Sequence, residues 1–165
     1  MAGDGGPPGL SGAGIIAGMN YELYMGEALA EAQLARTLGE RPTAAVAVVD
    51  EAMVARSHER VVETSDPTAH AVVMALREAA RKLGPDRMGE ATIFTTHEPC
   101  PMCVGALLEC DVETLVFAVP DPVEGAAGTV LQLAQHDDLP RRMKVISGIR
   151  RDEAEELLAG LVQGG

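Results

Sequence analysis

Aromatic side chains are nearly missing from this sequence. Tryptophan is absent, and two tyrosines and two phenylalanines complete the aromatic inventory of 165 residues. A core here must be packed from Ala, Val, Leu, Ile and Met, and a hydrophobic content of 47% supplies enough of them for one domain. Cysteine is scarce and odd in number: Cys100, Cys103 and Cys110 do not make a disulfide framework. No run approaches the ~20 apolar residues of a membrane helix, so no membrane association is expected. The first residues lack a basic segment followed by a long apolar run, so no secretory signal is read and a reducing, cytoplasmic setting is expected.

Positive charge is also in short supply. Thirteen Lys and Arg face 25 Asp and Glu, giving a net charge of −12. Nucleic-acid affinity draws largely on Lys and Arg contacts to phosphates, so nucleic acid is not the expected partner. The densest basic stretch, Arg141, Arg142, Lys144, Arg150 and Arg151, is interrupted and runs into Asp152, Glu153, Glu155 and Glu156. It is expected to be a solvated surface.

Residues 1–19 are rich in Gly and Pro and are expected to form a flexible tail ahead of a single domain, 20–165. Within that domain, helical spacing of Met25, Ala28, Leu29, Ala32 and Ala35 predicts a helix from Tyr21 to Leu38, stopped by Gly39. Ala44–Val49 and Ala52–Arg56 predict a hairpin turned at Asp50-Glu51. The sequence Ser65-Asp66-Pro67-Thr68 predicts a helix entry, the helix running to about Lys82. Strands are expected at 91–95, 114–119 and 143–146, and helices at 100–109, 129–134 and 151–161. Alternating elements of this kind predict an α/β fold: a five-stranded mixed sheet with helices on both faces, an α-β-α sandwich.

One constellation carries chemistry. Cys100-Pro101-Met102-Cys103 is a CxxC turn at a helix start, where the helix N-terminus favours thiolates. With His70 as third ligand it meets the requirement of a catalytic zinc site: three N or S ligands and one open position. A redox pair or a closed structural site are the alternatives, but no fourth ligand is evident. Cys110, seven residues on, is expected to be an ordinary buried cysteine.

These residues bear a resemblance. Asp66-Pro67-Thr68-Ala69-His70 and Glu98-Pro99-Cys100-Pro101-Met102-Cys103 resemble the zinc nucleobase-deaminase signature H-x-E…P-C-x-x-C. Together with Gly105-Ala106 and Gly125-Ala126-Ala127-Gly128, they are similar to the bacterial tRNA-adenosine and guanine deaminase branch of the cytidine/deoxycytidylate deaminase superfamily, over roughly residues 20–158. The resemblance implies a cytidine-deaminase-like fold, one Zn2+ on His70, Cys100 and Cys103, and an assembly that is a homodimer by default.

The chain also departs from that pattern. The signature's Glu, which moves protons and binds no metal, is replaced by Val72. The Trp-Asn pair of the tRNA enzymes aligns with His58 and Glu59, and their basic residues after the fourth strand with Pro120-Asp121-Pro122-Val123-Glu124. His58 and Glu59 are the candidate replacements for the missing acid/base, and His97 and Glu59 the candidate substrate contacts; His136 is expected to be exposed. Three readings follow. One is a zinc-dependent hydrolase of a small nitrogenous substrate, nucleobase-like or a specialised metabolite, with an unusual proton relay. Another is a catalytically inactive subunit paired with an active deaminase in a heterodimer, as the resemblance to the eukaryotic tRNA-adenosine deaminase's Val-bearing subunit implies. A tRNA or nucleoside deaminase inactivated at Val72 is a third.

Overall fold

The structure is a computed structural model and describes residues 15–16 and 18–163. Residues 1–14, most of the expected tail, lie outside the described residues. At the end of that segment β1 (Ile15–Ile16) pairs antiparallel with β2 (Met19–Asn20). Helix α1 (Tyr21–Thr37) follows at once. Its N-cap is Asn20, whose side-chain oxygen accepts from the N–H of Leu23 at 3.0 Å.

Strands β3 (Ala44–Val49) and β4 (Ala52–His58) form the expected hairpin. Asp50 and Glu51 both have positive φ, the backbone a tight two-residue hairpin demands even where neither residue is glycine. Strand β5 (Thr92–His97) pairs antiparallel with β3 and parallel with β6 (Thr114–Val119). Strand β7 (Lys144–Ser147) closes the sheet, in the order β4-β3-β5-β6-β7. All of β3 and β6 is buried, as strands covered on both faces must be.

The two faces divide by the two-residue period of a strand. Ala45, Ala47 and Val49 pack with α3 (Ala71–Leu83) and α4 (Pro101–Glu109). Val46 and Val48 pack with α1 and α5 (Arg151–Gln163) on the other side, around Phe94. Alanine on the α3 face lets that helix approach β3 closely. Tyr21 and Tyr24 pack on Phe94 with tilted rings, 5.8 and 5.4 Å between centroids, so three of the four aromatic side chains serve one cluster. The result is the expected three-layer α-β-α sandwich.

Three local expectations are corrected. The helix after β4 does not begin at Pro67. A short α2 (Val61–Thr64) comes first and ends on Ser65, whose φ is positive. Asp66 then binds the N–H and hydroxyl of Thr68, a turn that holds the chain out of the helix until Ala71. The predicted helix at 129–134 is a loop. The N–H of Thr129 donates to Glu98, those of Val130 and Leu131 to the carbonyl of Gly125, and that of Leu133 to the carbonyl of Ala126. Strand β4 runs on to His58, two residues past its expected end.

Candidate metal centre and cleft

Strands β5 and β6 run parallel, and the cleft opens beyond their carboxyl ends, where open α/β sheets gather ligands. Two helix N-termini converge there. His70 is the N-cap of α3 and Cys100 the N-cap of α4, both with extended backbone. Cys103 lies one turn into α4 and is buried.

His70 Nδ1 stands 3.5 Å from Cys100 Sγ and 3.5 Å from Cys103 Sγ. With metal–ligand distances of about 2.3 Å (sulfur) and 2.0–2.1 Å (nitrogen) at tetrahedral angles, zinc would hold N and S about 3.6 Å apart. The side chains therefore already stand at zinc-ligand spacing, and the donor set suits that metal. A hydrogen bond between the two sulfurs pushes the Cys100 thiol down to about 5 and the Cys103 thiol up. The pair thus holds one proton that a divalent cation would displace. No other group of three such side chains clusters this way among the described residues, and Cys110, the C-cap of α4, stands apart from it.

The cleft around the trio holds ≈ 420 Å³, open solvent at its mouth included. Glu59 is in it. The N–H of Glu59 donates to Thr43 O, and that of Arg60 to Ala69 O at 3.0 Å. The second bond ties the chain next to Glu59 to the chain next to His70. Burial pushes the Glu59 carboxyl above its ordinary range, against the pull of Arg41 and His70. Val72 also lines the cleft, 4% exposed, so the position of the signature's acid/base is apolar and closed.

His97 lines the cleft as expected. Burial, then Arg41, pushes its pKa below the ordinary value. Arg41 Nη2 approaches Nδ1 at 3.5 Å. A guanidinium only donates, so Nδ1 accepts, and in the neutral ring Nε2 carries the proton toward Asp121 Oδ2, 3.7 Å away. Asp121 Oδ1 accepts the N–H groups of Val123 and Glu124; burial pushes its carboxyl up, but these bonds together with His97 and Arg41 hold it below the ordinary range.

His58 stands elsewhere, against its sequence expectation. It is 5% exposed, and its Nδ1 bonds Glu31 Oε1 at 2.8 Å. As the next residue to Glu59 at a strand end, it points to the opposite side. His136 is exposed, as expected.

Sequence reasoning missed Arg41, Asp121, Glu124 and Glu98. Glu98 is 2% exposed, and its Oε1 accepts from Asp121 N–H (3.0 Å) and Thr129 Oγ1, its Oε2 from Ala127 N–H (3.0 Å) and Thr129 N–H (3.1 Å). Its place in Glu98-Pro99-Cys100 was the signal available.

The basic stretch is the solvated surface expected of it. Arg141 pairs with Glu109 and Asp111, Arg142 with Asp137, Arg150 with Glu153 and Arg151 with Glu155. Among the described residues no helix is long and apolar enough to cross a membrane.

Comparison with known proteins agrees with this geometry. Residues 19–119 match the family described as the cytidine and deoxycytidylate deaminase zinc-binding region. The tRNA-specific adenosine deaminase of Bacillus subtilis is 38% identical over 138 residues, 84% of this chain and 86% of that protein. A structure from studies of A-to-I editing by tRNA:A34 deaminases superposes with a TM-score of 0.79 at 34% identity, over 82% of this chain and 99% of that one. A guanine deaminase from Nitrosomonas europaea gives 0.70 at 27% identity, over 84% and 82%. Two of these three names refer to tRNA, so they lend no support to the expectation, drawn from net charge, that nucleic acid is an unlikely partner. The chain belongs to the zinc-binding cytidine and deoxycytidylate deaminase family.

Proposed function

We propose that this chain is a zinc-dependent deaminase-type hydrolase of a small nitrogenous heterocycle, in which Glu59 carries the protons that the signature assigns to a Glu at position 72. The observation behind this reading is the placement of Glu59 in the same cleft as His70, Cys100 and Cys103, fastened beside His70 through the Arg60–Ala69 backbone bond. His70, Cys100 and Cys103 would hold the metal. When bound there, zinc supplies a Lewis acid that brings the pKa of water toward 7. Exchanging an exocyclic amine for oxygen also needs two protons moved: one taken from water and given to the ring nitrogen, and one taken from the hydroxyl then left on carbon and given to the amine, which departs as ammonia. A carboxyl whose pKa is raised by burial holds a proton more readily than an exposed one, which suits a group that must take protons and give them back. Arg41 and Asp121 fix the ring of His97 at the cleft wall, where its edge can meet a heterocycle. A reducing cytoplasm suits a site built on two thiolates, and a homodimer is the assembly this reading carries.

The test is ammonia release by the zinc-loaded protein over amino-bearing bases, nucleosides and pterins. Release is expected, falling by ~10²–10⁴-fold in Glu59→Gln. Release untouched by that substitution would remove Glu59 from the chemistry.

Val72 and the tRNA-specific relatives favour a second reading: a non-catalytic subunit descended from a tRNA deaminase, paired with an active deaminase. Silence of the native protein across the panel and on transfer RNA, with activity appearing in Val72→Glu, would establish it.

A further inference from the structure

We infer that Glu98 is a positioning residue that couples one wall of the cleft to the metal-ligating turn, so that metal binding and the order of the loop at 121–131 rise and fall together. The inference rests on His70, Cys100 and Cys103 being the metal site, and not on turnover.

Glu98 occupies the three-residue junction between β5, which ends at His97, and α4, which begins at Pro101. Its backbone N–H donates to Val119 O at 2.8 Å, and the neighbouring carbonyl of Pro99 accepts from Ala126 N–H at 2.9 Å. The residue before Cys100 is thus pinned from the loop side. The Glu98 side chain then reaches into the loop and accepts from Asp121, Ala127 and Thr129. A carboxylate offers about four lone-pair sites, and four donors fill them here. No cation shares the work among these bonds. The loop is built from Glu98 outward, and it carries the Asp121 that faces His97.

The approach is too close for any residue but glycine at 125. A Cβ there would stand 2.5 Å from Glu98 Cδ and 2.5 Å from Asp121 O. Such contact leaves the loop one position relative to Glu98. The segment from Glu98 to Cys100 therefore has one well-defined arrangement when the loop is closed, and loses its outer support when the loop opens. Coupling of this kind is reciprocal: a metal that fixes Cys100 must also favour the closed loop.

Gln is nearly isosteric with Glu but turns an acceptor into an NH2 facing N–H and O–H donors. Partners that orient metal ligands typically carry 10- to 100-fold in metal affinity, so Glu98→Gln is expected to weaken Co2+ or Zn2+ binding by about that factor. The Co2+ protein should show an altered thiolate-to-cobalt charge-transfer band. Hydrogen exchange gives the other arm: in the native protein, metal loading should slow exchange at Ala127 and Thr129, and in Glu98→Gln it should not. Thr129→Val removes only the hydroxyl bond and should fall between the two, which keeps the test alive if Glu98→Gln does not fold. If either variant melts earlier yet keeps native metal affinity, native cobalt spectrum and metal-dependent protection, Glu98 is a structural buttress only and the inference fails. These readouts need no substrate. A protein silent in ammonia release but coupled in this way would overturn the proposed reaction and leave the role of Glu98 intact.

Discussion

Two glycine-to-alanine substitutions should move stability in opposite directions. At Gly125 an added Cβ meets a backbone oxygen, Asp121 O, at 2.5 Å, and Glu98 Oε1 at 2.6 Å. Neither can yield cheaply, because Asp121 O accepts from Gly125 N–H and the Glu98 side chain is 2% exposed and fully bonded. Overpacking of a well-filled site costs ~1–3 kcal/mol, against a gain of ~0.4–1 kcal/mol from a stiffer unfolded chain. At mid-range the net loss is about 1.3 kcal/mol, or a Tm lower by roughly 3–5 °C in a chain of this size. Gly105 lies inside α4 with nothing within 4 Å of its Cβ direction. There alanine gains helix propensity with no clash, worth about 0.5–1 kcal/mol and a Tm higher by roughly 1–4 °C. Thermal denaturation of the zinc-saturated variants, checked at one urea series, reads both. A shift of the same sign in the two, or no shift at Gly125, would refute the account of the loop as clamped on Glu98.

Phe94→Ala should cost about 3–5 kcal/mol, because Phe94 is fully buried and packs against both tyrosines; urea denaturation measures it. The depressed pKa of His97 makes folding pH-dependent. Above its unfolded value of about 6.5 both states are neutral; as pH falls through and below it, the unfolded chain takes up a proton that the folded one resists, and stability drops. His97→Gln should lack that part of the decline between pH 7.5 and 5.5 when compared with the native protein at equal zinc. Chelation should lower the native Tm and leave Cys100→Ser unmoved, since only a protein that binds the metal gains stability from it.

Most of the fold was legible because the sheet is built from runs whose period leaves little choice. Ala44–Val49 and Thr114–Val119 lie between turn residues, and both strands have the expected bounds. The metal trio was legible because CxxC at a helix start brings two sulfurs together by local geometry, and His70 stands in a short motif of its own. The loop at 129–134 was not. Its apolar spacing imitates a helix, but the N–H groups of Val130, Leu131 and Leu133 go back to the carbonyls of Gly125 and Ala126, and Glu98, some thirty residues earlier, anchors Thr129. The start of α3 failed for a related reason: the Asp66 side chain satisfied a backbone donor that was counted toward the helix. Side-chain competition for backbone groups leaves no period in the sequence. Arg41 and Asp121 were missed because their meeting at His97 joins segments far apart along the chain. His58 was misplaced by one residue of strand alternation, which sends its ring to Glu31 while Glu59 enters the cleft.

The resemblance implies an Asn where Glu59 stands and a Glu where Val72 stands. On the proposed reading the acid/base carboxylate stands at position 59 instead of 72, in a cleft that Glu98, Asp121 and Glu124 also line. This changes what a repair would do. Val72→Glu alone adds a further carboxylate to a cleft that Glu59, Glu98, Asp121 and Glu124 already line, and it and Glu59 raise each other's pKa. It also sets a long side chain at a position 4% exposed. Glu59→Asn with Val72→Glu restores the arrangement the resemblance implies and leaves the number of carboxylates in the cleft unchanged. If position 59 has taken over the work of position 72, the two substitutions are strongly non-additive. Ammonia release from purine substrates should then be weak in Val72→Glu, absent in Glu59→Asn and highest in the double variant. Equal activity in Val72→Glu and the double variant would mean that Glu59 never shared the reaction space. The relocated-carboxylate reading would then fall, while the metal centre and the fold would stand.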